Sequence, residues 1–89
     1  MATLFARHKV KEFEAWKAAY DAFDEERKTL GVTGQGAYQS DDDSNEVTIY
    51  HHFKSMDEAK AFGDSPRLKE VMERAGVASA PDIWFANSV

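Results

Sequence analysis

The apolar and polar positions change period repeatedly along the chain, and each change marks an element. From Ala2 to Val10, apolar Leu4, Phe5 and Val10 are interspersed with Thr3, Arg7 and Lys9, the pattern of a strand. From Lys11 to Leu30, Phe13, Trp16, Tyr20, Phe23 and Leu30 recur at steps of three, four and seven, which predicts one long amphipathic helix. Glu12 and Glu14 in its first turn and Arg27 and Lys28 in its last suit the helix dipole, and Gly31 is the expected stop. Val32 to Ser40 reads as a second strand, in which Gly34 and Gly36 signal a bulge or the close approach of another group. The polar turn Asp41 to Asn45 leads into Glu46 to Phe53, the clearest strand of the chain. There Val47, Ile49, His51 and Phe53 share one face, and Thr48, Tyr50 and His52 the other.

Ser55-Met56-Asp57-Glu58 has the form of a capping box, because a Ser hydroxyl and a Glu three residues on can satisfy each other's backbone N–H groups. It predicts a helix through Phe62, a break at Gly63-Asp64, and a restart with Ser65 as N-cap and Pro66 at the first helical position. Leu68, Val71, Met72 and Ala75 form the apolar face of the restarted helix, Gly76 ends it, and a last strand follows Pro81, from Asp82 to Ser88. The order is β-α-β-β-α-β in a single domain spanning residues 1–89. Right-handed crossovers and one hairpin leave few ways to close it. The expected solution is an α+β, ferredoxin-like antiparallel sheet in order 4-1-3-2, with the helices on one face. Either Leu4, Ile49 and Phe85 or Phe5, Tyr50 and Trp84 must then point away from the helices. A sheet apolar on both faces needs a second cover, and the simplest is another copy, so a homodimer closing into an α/β barrel is expected.

Composition narrows the function more than the fold. The formal charge is −5, from 16 carboxylates against 11 Lys and Arg, and the pI is near 5.1. An acidic chain without clustered cations is not expected to bind nucleic acid. The absence of cysteine removes disulfides, thiolate metal sites and a Cys nucleophile. Apolar runs of a few residues do not span a membrane, and with no apolar core of a signal peptide at Met1 the expected location is cytoplasmic. Asp41-Asp42-Asp43-Ser44-Asn45 resembles a calcium loop only superficially, since the sixth-position Gly and twelfth-position Glu are missing. No G-x-S-x-G, phosphate-cradling Gly loop or H-E-x-x-H is present, so hydrolase, kinase and zinc-protease readings have no support.

The candidate chemistry rests on three histidines and a few aromatics. In the expected sheet, His8 lies near Val47 and Trp84 at one end, and His51 and His52 beside Thr3 to Phe5 at the other. At about 3.3 Å per residue this separates His8 from His51 by on the order of 15 Å, too far to be expected in one site. His51 and His52 point to opposite faces of their strand and are not expected to share a metal, and no metal or cofactor is expected. Of the three, His51 is the first choice as general acid or base because it shares a face with Ile49 and Phe53. His8, between Arg7 and Lys9, suits an exposed role. Trp16, Tyr20 and Trp84 combine flat apolar bodies with a polar handle and suit an aromatic ligand, or serve simply as core. Arg27 continues the Phe13, Trp16, Tyr20, Phe23 stripe: it could stabilise an oxyanion, or it could snorkel at the helix end.

The element order, the aromatic-rich first helix, the stretch Tyr50-His51-His52-Phe53-Lys54-Ser55 and the broken helix Phe62-Gly63-Asp64-Ser65-Pro66-Arg67-Leu68 resemble the dimeric α/β-barrel superfamily. Its best-known branch is the antibiotic biosynthesis monooxygenase-like family, with stress-responsive barrel proteins as relatives. That branch often has Trp near the end of the third strand, where this chain has Phe53, and His around the helix break, where it has Phe62 and Arg67. The resemblance implies a small, mostly apolar cleft between sheet and helices. Two function classes follow. One is a cofactor-independent monooxygenase- or cyclase/isomerase-like enzyme acting on a small apolar, aromatic or polyketide-like molecule. Its catalytic residues would be His51 and Arg27, and its substrate-binding residues Trp16, Tyr20, His52, His8 and Trp84. The other is a non-enzymatic ligand-binding or stress-associated barrel with structural histidines. Haem handling would need an axial His in the cleft.

Overall fold

The computed structural model describes all of residues 1–89. Its elements are β1 (Ala2–Lys9), α1 (Phe13–Ala22), α2 (Asp24–Thr29), β2 (Gly34–Gln39), β3 (Glu46–Phe53), α3 (Met56–Gly63), α4 (Pro66–Arg74) and β4 (Asp82–Asn87). The four strands form one antiparallel sheet in the order β2-β3-β1-β4, with the helices packed on one face. This is the ferredoxin-like α+β arrangement that the element order predicts. No helix is long and apolar enough to cross a membrane.

The local signals operate as their chemistry requires. Ser55 accepts a hydrogen bond from the Glu58 N–H at 3.2 Å and caps α3, and Ser65 accepts one from the Leu68 N–H at 3.4 Å and caps α4. Gly31 and Gly76 follow α2 and α4 at φ +102° and +81°, a backbone that other residues adopt only under strain. The glycines of β2 mark close approach rather than a bulge. Gly34 pairs with His52 and Gly36 with Tyr50, and each leaves room for the ring of its cross-strand partner.

One expectation needs correction. The long first helix is two helices, α1 and α2, meeting at Phe23. The Phe23 N–H is shared between the Ala19 and Tyr20 carbonyls, which tightens one turn. The side chain of Phe23 is buried, and Asp24, Glu25 and Glu26 then open α2 at the end where the dipole favours acids.

The register settles which sheet face meets the helices. Ala2, Leu4, Ala6 and His8 of β1 and Val47, His51 and Phe53 of β3 are all buried beneath them. Val47 and Phe53 are wholly inaccessible, and burying side chains of this kind contributes about 1.5–3 kcal/mol each. Phe5, Tyr50 and Trp84 therefore occupy the outer face. Phe5 stacks on Trp84 at 5.5 Å, and Tyr50 leans on Tyr38 at 6.3 Å and on His52 at 4.9 Å. Trp84 remains 45 % exposed and Tyr38 64 %.

Candidate functional site

Between the sheet and the helices lies a mainly apolar cavity. Leu4, Ala6 and His8 of β1 and Ile49 and His51 of β3 form its floor. One wall is Trp16 and Tyr20 of α1 with Phe23 and Arg27, and the opposite side is Phe62 with Leu68, Val71, Met72 and Ala75. Ile83 stands at the edge. The space open to water centres is about 60 Å³. At about 10–15 Å³ of such space per water, it takes roughly four to six waters.

The polar groups in this cavity are few and distinctive. His51 is 2 % exposed and His8 4 %, and neither ring nitrogen of either residue has a hydrogen-bond partner. Buried polar groups normally find a partner, and these four atoms have none within the protein, in two residues that line the same cavity. Burial holds the His51 imidazole down at about 4, with the Arg27 guanidinium and His52 adding to the effect. Burial also lowers His8. Both rings are therefore neutral at physiological pH, each able to donate from one nitrogen and accept at the other.

Arg27 supplies the charge. Its Nε donates to Gln35 Oε1 at 2.8 Å, and Gln35 Nε2 donates to Asp24 Oδ1 at 2.6 Å. That bond, followed by the contact from Lys28, holds the Asp24 carboxyl below the usual carboxylate range. The Arg27 guanidinium lies 4.0 Å from the centroid of the Tyr20 ring, and Tyr20 stacks on Trp16 at 5.0 Å. Trp16 in turn meets the His8 ring edge-on at 6.0 Å. The wall is thus a ladder running from His8, past Trp16 and Tyr20, to Arg27. Burial raises the Tyr20 phenol above its ordinary value, with Arg27 opposing.

These placements change several expectations. Arg27 does not snorkel: it is 2 % exposed and faces the cavity. His8 is buried, because its even-numbered position on β1 faces the helices, and it lines the same cavity as His51. The two were expected in separate sites, but the cavity runs along the strands and reaches both. His52 and Trp84 are not among the cavity residues. His52 is hydrogen-bonded through Nδ1 to Thr3 Oγ1 at 2.8 Å on the outer face, and Trp84, expected near His8, lies on that face too, because the register pairs it with Phe5. Gln35, which orients Arg27, was not a candidate in the sequence. Its only signal is the pairing of β2 with β3 that sets it opposite His51. No three His, Asp or Glu side chains converge as a metal site would require.

No protein-family model and no curated protein matches this chain. Solved structures do. A candidate antibiotic biosynthesis monooxygenase from Nitrosomonas europaea superposes with TM-score 0.78 at 19 % identity, covering 100 % of this chain and 99 % of the other. SnoaB, a cofactor-independent oxygenase from Streptomyces nogalater, gives TM-score 0.77 at 11 % identity over 98 % of this chain and 91 % of its own. A monooxygenase from Streptomyces coelicolor, solved with the ligand nanaomycin D, gives 0.72 at 17 % identity over 99 % and 87 %. The chain has the fold of antibiotic biosynthesis monooxygenase-like proteins along its whole length.

Proposed function

We propose that this protein binds a small aromatic or polyketide-like molecule in the cavity between sheet and helices and acts on it by cofactor-independent proton transfer or oxygenation, as a homodimer. The observation that carries the reading is His51: a neutral imidazole, buried, with both nitrogens free, in an apolar cavity that also holds the Arg27 guanidinium. A phenol or enol placed there would give its proton to the free nitrogen of His51, while Arg27 stabilises the oxyanion that forms. The developing anion supplies a counter-charge beside the ring, which raises the imidazole pKa as the proton arrives. Trp16 and Tyr20 would hold the ring of the ligand flat against the wall. The description of the Streptomyces nogalater protein as a cofactor-independent oxygenase agrees with this chemistry. The homodimer is supported by the aromatic outer face, with Trp84 45 % exposed and no helix over it.

One observation favours a second reading, in which the site binds without turnover. Neither cavity histidine has the orienting hydrogen bond that a catalytic imidazole usually receives, since all four ring nitrogens are unpartnered. A panel of phenols and enols, titrated by fluorescence and followed for turnover under air, separates the two. Turnover that falls at least about 100-fold in His51→Ala, with binding retained, is the expected result for the enzyme. Binding without turnover assigns the protein to the second reading, and the absence of any binding rejects both.

A further inference from the structure

The cavity has two polar ends of unlike character. At one end are His51 and Arg27, brought to the same side of the cavity by Gln35, which pairs with His51 across the strands and accepts a hydrogen bond from Arg27 Nε at 2.8 Å. At the other stands His8, buried against Trp16, its lowered pKa caused by burial alone with no charged neighbour contributing. In the strand register His51 pairs with Leu4 and His8 with Val47, so the two histidines are offset by four residues. At about 3.3 Å per residue along a strand and about 4.8 Å between strands, their Cα atoms are about 14 Å apart. The side chains and one hydrogen bond at each end take up part of that length, leaving about the span of one or two rings. Volume gives the same answer. Roughly four to six waters at about 30 Å³ each correspond to about 120–180 Å³ of ligand, the size of a one- or two-ring aromatic.

We infer that His8 is the second binding pole of this cavity, and that its ligand is a one- or two-ring aromatic carrying an acidic oxygen at the Arg27–His51 end and a neutral hydroxyl or carbonyl at the His8 end. The inference rests on the cavity being the ligand site proposed above. His8 then acts as a specificity-determining residue. Its two ring nitrogens are buried without a protein partner, so a ligand with a polar group at that end gains a hydrogen bond there that an apolar end does not. The acidic end belongs with Arg27, which is permanently charged.

The test uses 2-naphthol and naphthalene-2,6-diol, two probes of the same ring system that differ in one hydroxyl. Wild-type protein is expected to bind the diol about tenfold more tightly than the naphthol. His8→Phe is expected to abolish that preference, read as the ratio of the two affinities within the same variant, and His8→Gln, which can still hydrogen-bond, to restore part of it. A readout on the unaltered protein stands beside the variants: the diol, and not the naphthol, should shift the His8 ring nitrogens in a long-range nitrogen–proton NMR spectrum. Equal affinity for both probes, a preference that survives in His8→Phe, or His8 nitrogens unmoved by the diol each overturns the inference while the proposed function stands. Failure of both probes to bind overturns the inference and the reading of the cavity together.

Discussion

His51 illustrates how one residue ties function to stability. Protonating it in the folded state places a cation in an apolar cavity beside Arg27, whereas in the unfolded chain it has the ordinary value of 6.5. With the folded value near 4, the unfolded state binds more protons than the folded one below about pH 6.5. The stability linked to neutral His51 is complete above that pH and is lost as pH falls toward 4. Between pH 7.5 and 4.5 the loss amounts to roughly 2 kcal/mol, or about 10 °C in Tm for a domain of this size. Replacing the titrating ring by an apolar one of similar size, His51→Phe, is expected to flatten the melting temperature against pH by that amount. Parallel curves for the two proteins would rule out this linkage. His8, lowered by burial in the same direction, leaves a residual slope in both. His51 was recognisable from its alternation with Ile49 and Phe53. Arg27 was ambiguous, because a helix-end arginine reads the same whether it reaches solvent or a cavity.

At the scale of elements, α3 and α4 differ although both carry a serine cap. Ala59 and Phe62 of α3 are buried in the main core. In contrast, α4 buries no residue completely, yet it supplies Leu68, Val71 and Met72 to the cavity. It is strapped to α2 by Arg67, whose Nε and Nη2 donate to the Glu26 carboxylate at 2.6 and 3.0 Å. Both partners of that strap are well exposed, so water and salt screen it and it holds α4 only weakly. Ser55→Ala is expected to lower global stability by about 1 kcal/mol in denaturant unfolding. Ser65→Ala is expected to act locally, speeding amide exchange across Pro66–Arg74 with less than half that global cost. Uniform loss of protection across both helices would contradict the distinction. A ligand in the cavity is expected to slow exchange in α4 more than in β3, since α4 is the wall able to give way. The caps and breaks of these helices were legible because they are local chemistry. The division of the first helix at Phe23 was not, since nothing in its apolar spacing interrupts the stripe.

For the whole molecule, the decisive feature is a four-stranded sheet with helices on one side and aromatic residues on the other. The proposed dimer gives that outer face its cover. Native mass spectrometry is expected to show twice the 10.0 kDa of the single chain. Trp84→Glu, which places a charge where the sheets would meet, is expected to return the mass to 10.0 kDa without changing the far-ultraviolet dichroism. A wild-type monomer would remove the second cover from the argument. A dimer untouched by Trp84→Glu would move the interface elsewhere.

The sequence by itself determined the order of the elements and all of them but the division of the first helix at Phe23. Helix stripes, strand alternation, serine caps and glycine stops act over a few residues, and the crossover and hairpin rules then leave one economical sheet. It also determined which residues share a strand face, since alternation is a property of the backbone. Which of the two faces meets the helices was decided only by tertiary packing, and with it the burial of His8, the placing of His52 and Trp84 outside, and the meeting of His8, His51 and Arg27 around one cavity. Alternation is symmetric between the faces of a sheet. Only docking α1–α4 on one of them breaks that symmetry, and a cavity between two layers exists only once both layers are in place.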